Sequence, residues 1–84
     1  MKIMIINPTS TEAFAVKNLE AGQSVAAVGT EIMSTTPNTA PASIEGHYDE
    51  AIATIGILEQ VQKGERLGVD GYVVACFGDP GVLA

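Results

Sequence analysis

Three short runs of strand-favouring residues, separated by longer stretches of helical spacing, set the possibilities for this chain. The first is Lys2 to Ile6, where Ile3, Met4, Ile5 and Ile6 are continuously apolar. A run without polar alternation belongs to a strand covered on both faces, as a central parallel strand is. Asn7-Pro8 closes it, because proline removes a ladder donor and biases its predecessor away from helix. The second run is Glu31 to Thr35, with Ile32 and strand-favouring threonines. The third is Gly71 to Cys76, in which Val73, Val74 and Ala75 read as the end of another buried strand.

The intervening segments read as helices. Thr9 and Glu12 have capping-box spacing, so a helix is expected from about Ser10 to about Ala21, with Gly22 as its stop. Phe14, Ala15, Val16 and Leu19 supply its apolar face. Val25 to Val28 has no decisive pattern. Thr36 to Ser43 contains Pro37 and Pro41 and reads as a loop, long enough to be of the functional kind. A second helical region starts near Ser43 and has Asp49 and Glu50 early, where a helix dipole favours acid. In it Tyr48, Ile52, Ile55, Leu58 and Val61 recur at helical spacing, and Gly68 ends it. Gly56 and Gly64 fit either one kinked helix or two short ones. After Cys76, Asp79 reads as the N-cap of a further helix, with Pro80 in the first helical position. Strands alternating with helices pair in parallel through crossovers. The expected fold is α/β: a parallel three-layer α/β sandwich, a Rossmann or flavodoxin-like lobe, with the first and third strands adjacent.

The bulk numbers narrow the function. At 84 residues the chain is one domain at most. A net charge of −6 with four basic residues argues against nucleic acid and anionic membranes as partners. A single cysteine excludes an internal disulfide framework and a cysteine-based zinc site, and a single histidine, His47, argues against a histidine-rich metal site. No metal is therefore expected. No apolar run reaches the length of a membrane span and no signal-peptide pattern is present, so the cytoplasm is the expected compartment. The chain stops at Gly81-Val82-Leu83-Ala84, barely one turn into the expected last helix. Its sheet is then incomplete, and the chain is expected to be the first part of a longer one.

Ligands of open parallel sheets bind outside the carboxyl ends of the strands. Three polar groups fall there: Asn7, Thr9, Ser10 and Thr11; the 36–43 loop; and Cys76, Gly78 and Asp79. Asn7 and Cys76 should face one crevice. A thiol between a strand end and a helix N-terminus is placed for thiolate chemistry, and helix N–H groups suit an enolate oxygen. The plainer readings are equally specific. Cys76 also fits a small buried apolar side chain, Asn7 a bond within its own loop, Thr9, Ser10 and Asp79 caps, and Glu45 and His47 a solvated helix start. No glycine-rich phosphate loop is present.

Three blocks together resemble a known family: Ile6-Asn7-Pro8, Ser43-Ile44-Glu45-Gly46-His47-Tyr48-Asp49-Glu50-Ala51, and Ala75-Cys76-Phe77-Gly78-Asp79-Pro80-Gly81. They are similar to hydantoin and allantoin racemases of the aspartate/glutamate racemase superfamily. The resemblance covers the whole chain but only about the first third of such a protein. It implies residues 1–84 are the N-terminal part of the first of two α/β lobes, with the second lobe absent. It implies a cofactor-independent racemase that uses a cysteine from each lobe, Cys76 being the first. Asn7, Ser10 and the backbone after Cys76 (Phe77, Gly78, Asp79) are then candidates to hold substrate, and Ser43 and Ile44 to line the pocket. The implied partners are a small molecule, a hydantoin, allantoin or an amino-acid-like compound, and other copies of the chain. Two departures stand out: Thr9 occupies a place where the family often has a second asparagine, and no second cysteine is present. The 84-residue chain alone is therefore expected to be inactive. The alternative is a non-catalytic α/β ligand-binding module or an inactive truncated remnant.

Overall fold

The structure, a computed structural model, describes every residue from Met1 to Ala84. The element order is β1 (Lys2–Ile6), α1 (Glu12–Val25), β2 (Glu31–Thr35), α2 (His47–Arg66) and β3 (Gly71–Val74). All pairing is parallel and the strand order is β2-β1-β3, so the continuously apolar β1 is the central strand. Met4 pairs with Met33 on one side and Tyr72 on the other, and Ile5 with Ser34 and Val73.

Side chains alternate across a strand, and β1 divides its residues accordingly. Met4 and Ile6 face α2 and form the core with Ala53, Ile57 and Val69. Ile5 turns to the opposite face, where it meets α1 at Gly22. The helices therefore cover opposite faces, which makes the expected three layers. No helix is long and apolar enough to cross a membrane.

Several boundaries differ from the sequence reading. Gly22 does not stop α1, which runs on to Val25. A Cβ there would lie 2.7 Å from Ile5 Cδ1 and 3.0 Å from Ile32 Cγ2, so this glycine lets helix and sheet approach closely. Thr9 and Glu12 do not form a capping box: the N-cap is Thr11 and makes no side-chain cap bond. Thr9 Oγ1 instead accepts the Thr11 N–H at 3.2 Å and donates to Asn7 Oδ1. Ser43 lies before α2, which starts after Gly46, where the Asp49 carboxylate accepts the Glu45 N–H at 2.9 Å. Beyond that point α2 is one helix through both glycines.

The buried stripe of α2 also differs from the expected one. It is Ala53, Gly56, Ile57 and Gly64, while Tyr48, Ile52 and Ile55 are exposed. Small residues win that face because Gly56 packs on Pro37 and Gly64 on the Tyr72 ring. In α1, Phe14 and Val16 are exposed and only Ala15 and Leu19 of the predicted face are half-buried. Gly68 ends α2 as expected. It has φ +74° and donates to Glu65 O, while Val69 donates to Gly64 O, a Schellman closure that delivers Val69 into the core.

Candidate functional site

The two loops at the carboxyl ends of β1 and β2 are joined by their own hydrogen bonds. Ser10 N–H donates to Pro41 O at 2.9 Å, and Thr11 Oγ1 donates to Ala42 O at 2.8 Å. Asn7 organises the first loop from within. Its Oδ1 accepts from Thr9 N–H (3.1 Å) and Thr9 Oγ1 (2.9 Å), and its Nδ2 donates to Thr11 O (2.9 Å) and Thr36 Oγ1 (3.4 Å). Only 2% of Asn7 is exposed, so this side chain holds the loop in shape and offers little surface to a ligand.

Cys76 lies just past β3 rather than inside it. The ladder continues one step, with Ala75 N–H donating to Ile6 O, and then the chain turns. Cys76 N–H donates back to Val74 O, and Cys76 O accepts the Asp79 N–H at 3.2 Å, closing a tight turn over Phe77 and Gly78. Asp79 has φ +49°, a left-handed conformation that an N-cap does not adopt, and Gly81 follows at φ +76°. The expected helix at Pro80 is thus replaced by consecutive turns, with Pro80 itself buried. The Phe77 and Gly78 N–H groups make no hydrogen bond within the chain. They are free donors beside a half-buried thiol.

A cleft of ≈380 Å³ opens at this end of the sheet, lined by Asn7, Pro8, Thr9, Ser43, Ile44, Ala75, Cys76 and, from α1, Phe14, Lys17 and Asn18. A second cleft of ≈560 Å³ adjoins it, lined by Asn18, Val74, Ala75, Cys76, Phe77 and Asp79. Asn18, Ala75 and Cys76 border both, so the thiol stands where the two meet. Asn7, Ser43, Ile44 and Cys76 are brought together, and Phe77 and Asp79 lie across Cys76 from them. Ser10 and Gly78 line neither cleft. Sequence reasoning missed Phe14, Lys17 and Asn18. Their spacing puts them on one side of a helix, which was legible, but Phe14 reads as core unless the cleft is known.

Comparison with known proteins finds relatives over the whole length of the chain. The family model described as Asp/Glu/Hydantoin racemase matches residues 3–84. The hydantoin racemases of Paenarthrobacter aurescens and Pseudomonas sp. (strain NS671) are 47% and 45% identical across all of this chain. An allantoin racemase from Klebsiella pneumoniae, known as a solved structure, is 49% identical over 99% of the chain, with a TM-score of 0.96. The chain spans about a third of these relatives: 34% and 36% of the hydantoin racemases of Pseudomonas sp. and P. aurescens, and 34% of the allantoin racemase. A match that runs from β1 through the Cys76 turn to the final residue makes this chain a member of the Asp/Glu/hydantoin racemase family.

Proposed function

We propose that Cys76 is one of two proton-transfer groups in a cofactor-independent racemase acting on hydantoin-type rings, allantoin included. The observation that carries this reading is the position of Cys76, at the junction of both clefts and beside the free Phe77 N–H. The relatives' names, hydantoin racemase and allantoin racemase, support the substrate class.

Inverting a carbon next to a carbonyl takes a base on one face and an acid on the other. The Cys76 thiolate removes the ring proton, and the C–H electron pair moves into the neighbouring carbonyl as an enolate. A thiol on the opposite face then returns a proton to the same carbon. The carbon is neither oxidised nor reduced. The Phe77 N–H, at the second cleft, receives the developing oxyanion. Ser43 and Ile44 line the pocket, Asn7 and Ser10 hold its loops, and the Asp79 N–H closes the turn that carries the thiol. The opposing thiol is not in these residues, whose only cysteine is Cys76. Residues 1–84 are thus the N-terminal part of a first lobe, and a second lobe completes the site. The compartment is the cytoplasm.

The test is loss of optical rotation of an enantiopure 5-substituted hydantoin, followed with the full gene product. Cys76→Ser should abolish it, and turnover surviving that change overturns the proposal. The isolated 84-residue chain should show none.

A further inference from the structure

The Cys76 turn rests on one face of α2. Gly78 lies against the Glu50 carboxylate so closely that a Cβ at this position would overlap Glu50 Oε1 and come within 2.9 Å of its Cδ. One helical turn further on, Gly81 meets Thr54, where a Cβ would lie 3.1 Å from Thr54 Cγ2. Pro80, between these two contacts, is buried. Glu50 and Thr54 are themselves tied, since Thr54 Oγ1 donates to Glu50 O at 2.9 Å. His47 Nδ1 lies 3.4 Å from Glu50 Oε2, and only 29% of the Glu50 side chain is exposed. Neither contact involves the clefts. The loop has few backbone ties of its own: Asp79 N–H to Cys76 O, Val82 N–H to Asp79 O and Ala84 N–H to Gly81 O.

We infer that Glu50 and Thr54 form a platform that fixes the Cys76–Gly81 turn, making Glu50 a positioning residue for the thiol, with Gly78 admitting that close seat. The inference rests on the racemase reading for its effect on turnover, though not for its effect on the thiol. Misplacing a reacting group by about 1 Å can cost on the order of 100-fold in rate. A methyl group on Gly78 would overlap the far end of the Glu50 side chain, the flexible part, so the carboxylate must swing off the turn.

The experiment is a double-mutant cycle in the full gene product, read both by racemisation and by the rate at which iodoacetamide modifies Cys76, with the modified peptide identified by mass. Gly78→Ala should lower kcat by roughly tenfold with KM little changed, since it displaces the Glu50 carboxylate. Glu50→Ala should lower it by roughly tenfold, and Glu50→Gln, which keeps the shape of the contact, should restore what Glu50→Ala loses. Glu50→Ala combined with Gly78→Ala should lose no more than either change alone, because both remove the same contact. Strictly multiplicative losses, or a Gly78→Ala protein with wild-type alkylation and turnover, overturn the platform. Should Gly78→Ala fail to fold, Glu50→Ala against Glu50→Gln decides, and equal alkylation rates in those two overturn it. Turnover that survives Cys76→Ser overturns the racemase reading instead, and the alkylation rates still decide the platform.

Discussion

The two faces of the sheet are built differently. On the α2 side Met4, Ile6, Ala53 and Ile57 are all at most 2% exposed, and Val69 closes the cluster. On the α1 side no helix residue is buried, and Phe14, Val16 and Val73 are about half exposed. The clefts draw on the second side, through Phe14, Lys17 and Asn18. One face thus supplies cohesion and the other leaves room for a ligand. The thiol turn belongs to both: its open side borders the clefts, and its base sits on α2.

The sharpest way to break this division is to separate chemistry from stability. Cys76→Ser should abolish racemisation in the full gene product and leave the thermal midpoint within a few degrees, as measured by circular dichroism. A large fall in the midpoint would make Cys76 a packing residue. Ile57→Ala probes the cohesive face and should cost about 2–5 kcal/mol in urea unfolding. Val16→Ala on the open face should stay within about 0.5 kcal/mol, and equal costs for the two would erase the asymmetry. Asn7→Ala falls between them. It strands the Thr9 hydroxyl and the Thr11 carbonyl, for about 1–3 kcal/mol, and should weaken turnover by loosening the loop.

The smallest effect concerns Tyr72, whose hydroxyl donates to Glu65 Oε1 at 2.7 Å and lies 3.1 Å from Val61 O. Burial, the hydrogen bond to Glu65 and that carboxylate's charge push its pKa from 10.0 up to about 12. A phenol held protonated in the fold favours the fold below pH 10 and loses that contribution as pH rises from about 10 to about 12, where the unfolded chain ionises first. The alkaline limb of a stability profile should therefore shrink in Tyr72→Phe, and an unchanged limb would remove Tyr72 from the cohesive face's account.

The sheet was legible in the sequence because its signals are local. Four consecutive apolar residues in β1 specify a strand covered twice, and β2 begins and ends where its threonines suggest. The glycines were not legible, because their reasons lie elsewhere in the chain. Gly22 has the local signature of a helix stop, yet it serves the side chains of Ile5 and Ile32. Gly56 and Gly64 resemble weak points but face Pro37 and Tyr72. The Asp79-Pro80 pair carries a valid N-terminal signal, which is overruled where Gly78 and Gly81 seat on α2 and Asp79 turns left-handed. In the site, the meeting of Asn7 and Cys76 followed from parallel topology alone. The commitment of Asn7 to four bonds within the loops did not, since it needs the fold of both loops at once.

The central place of β1 also sets a timetable for assembly. It pairs with β2 across about thirty residues of chain, but the bond from Lys2 N–H to the Asp70 carboxylate spans 68. A ribosome adding about 5–20 residues per second needs several seconds to supply that partner. During this interval one edge of the most apolar strand in the chain has no mate. Pairing this distant is slow to nucleate and open to aggregation. Recovery of soluble protein should therefore depend on synthesis rate and on chaperone capacity more steeply than its folded-state contacts suggest.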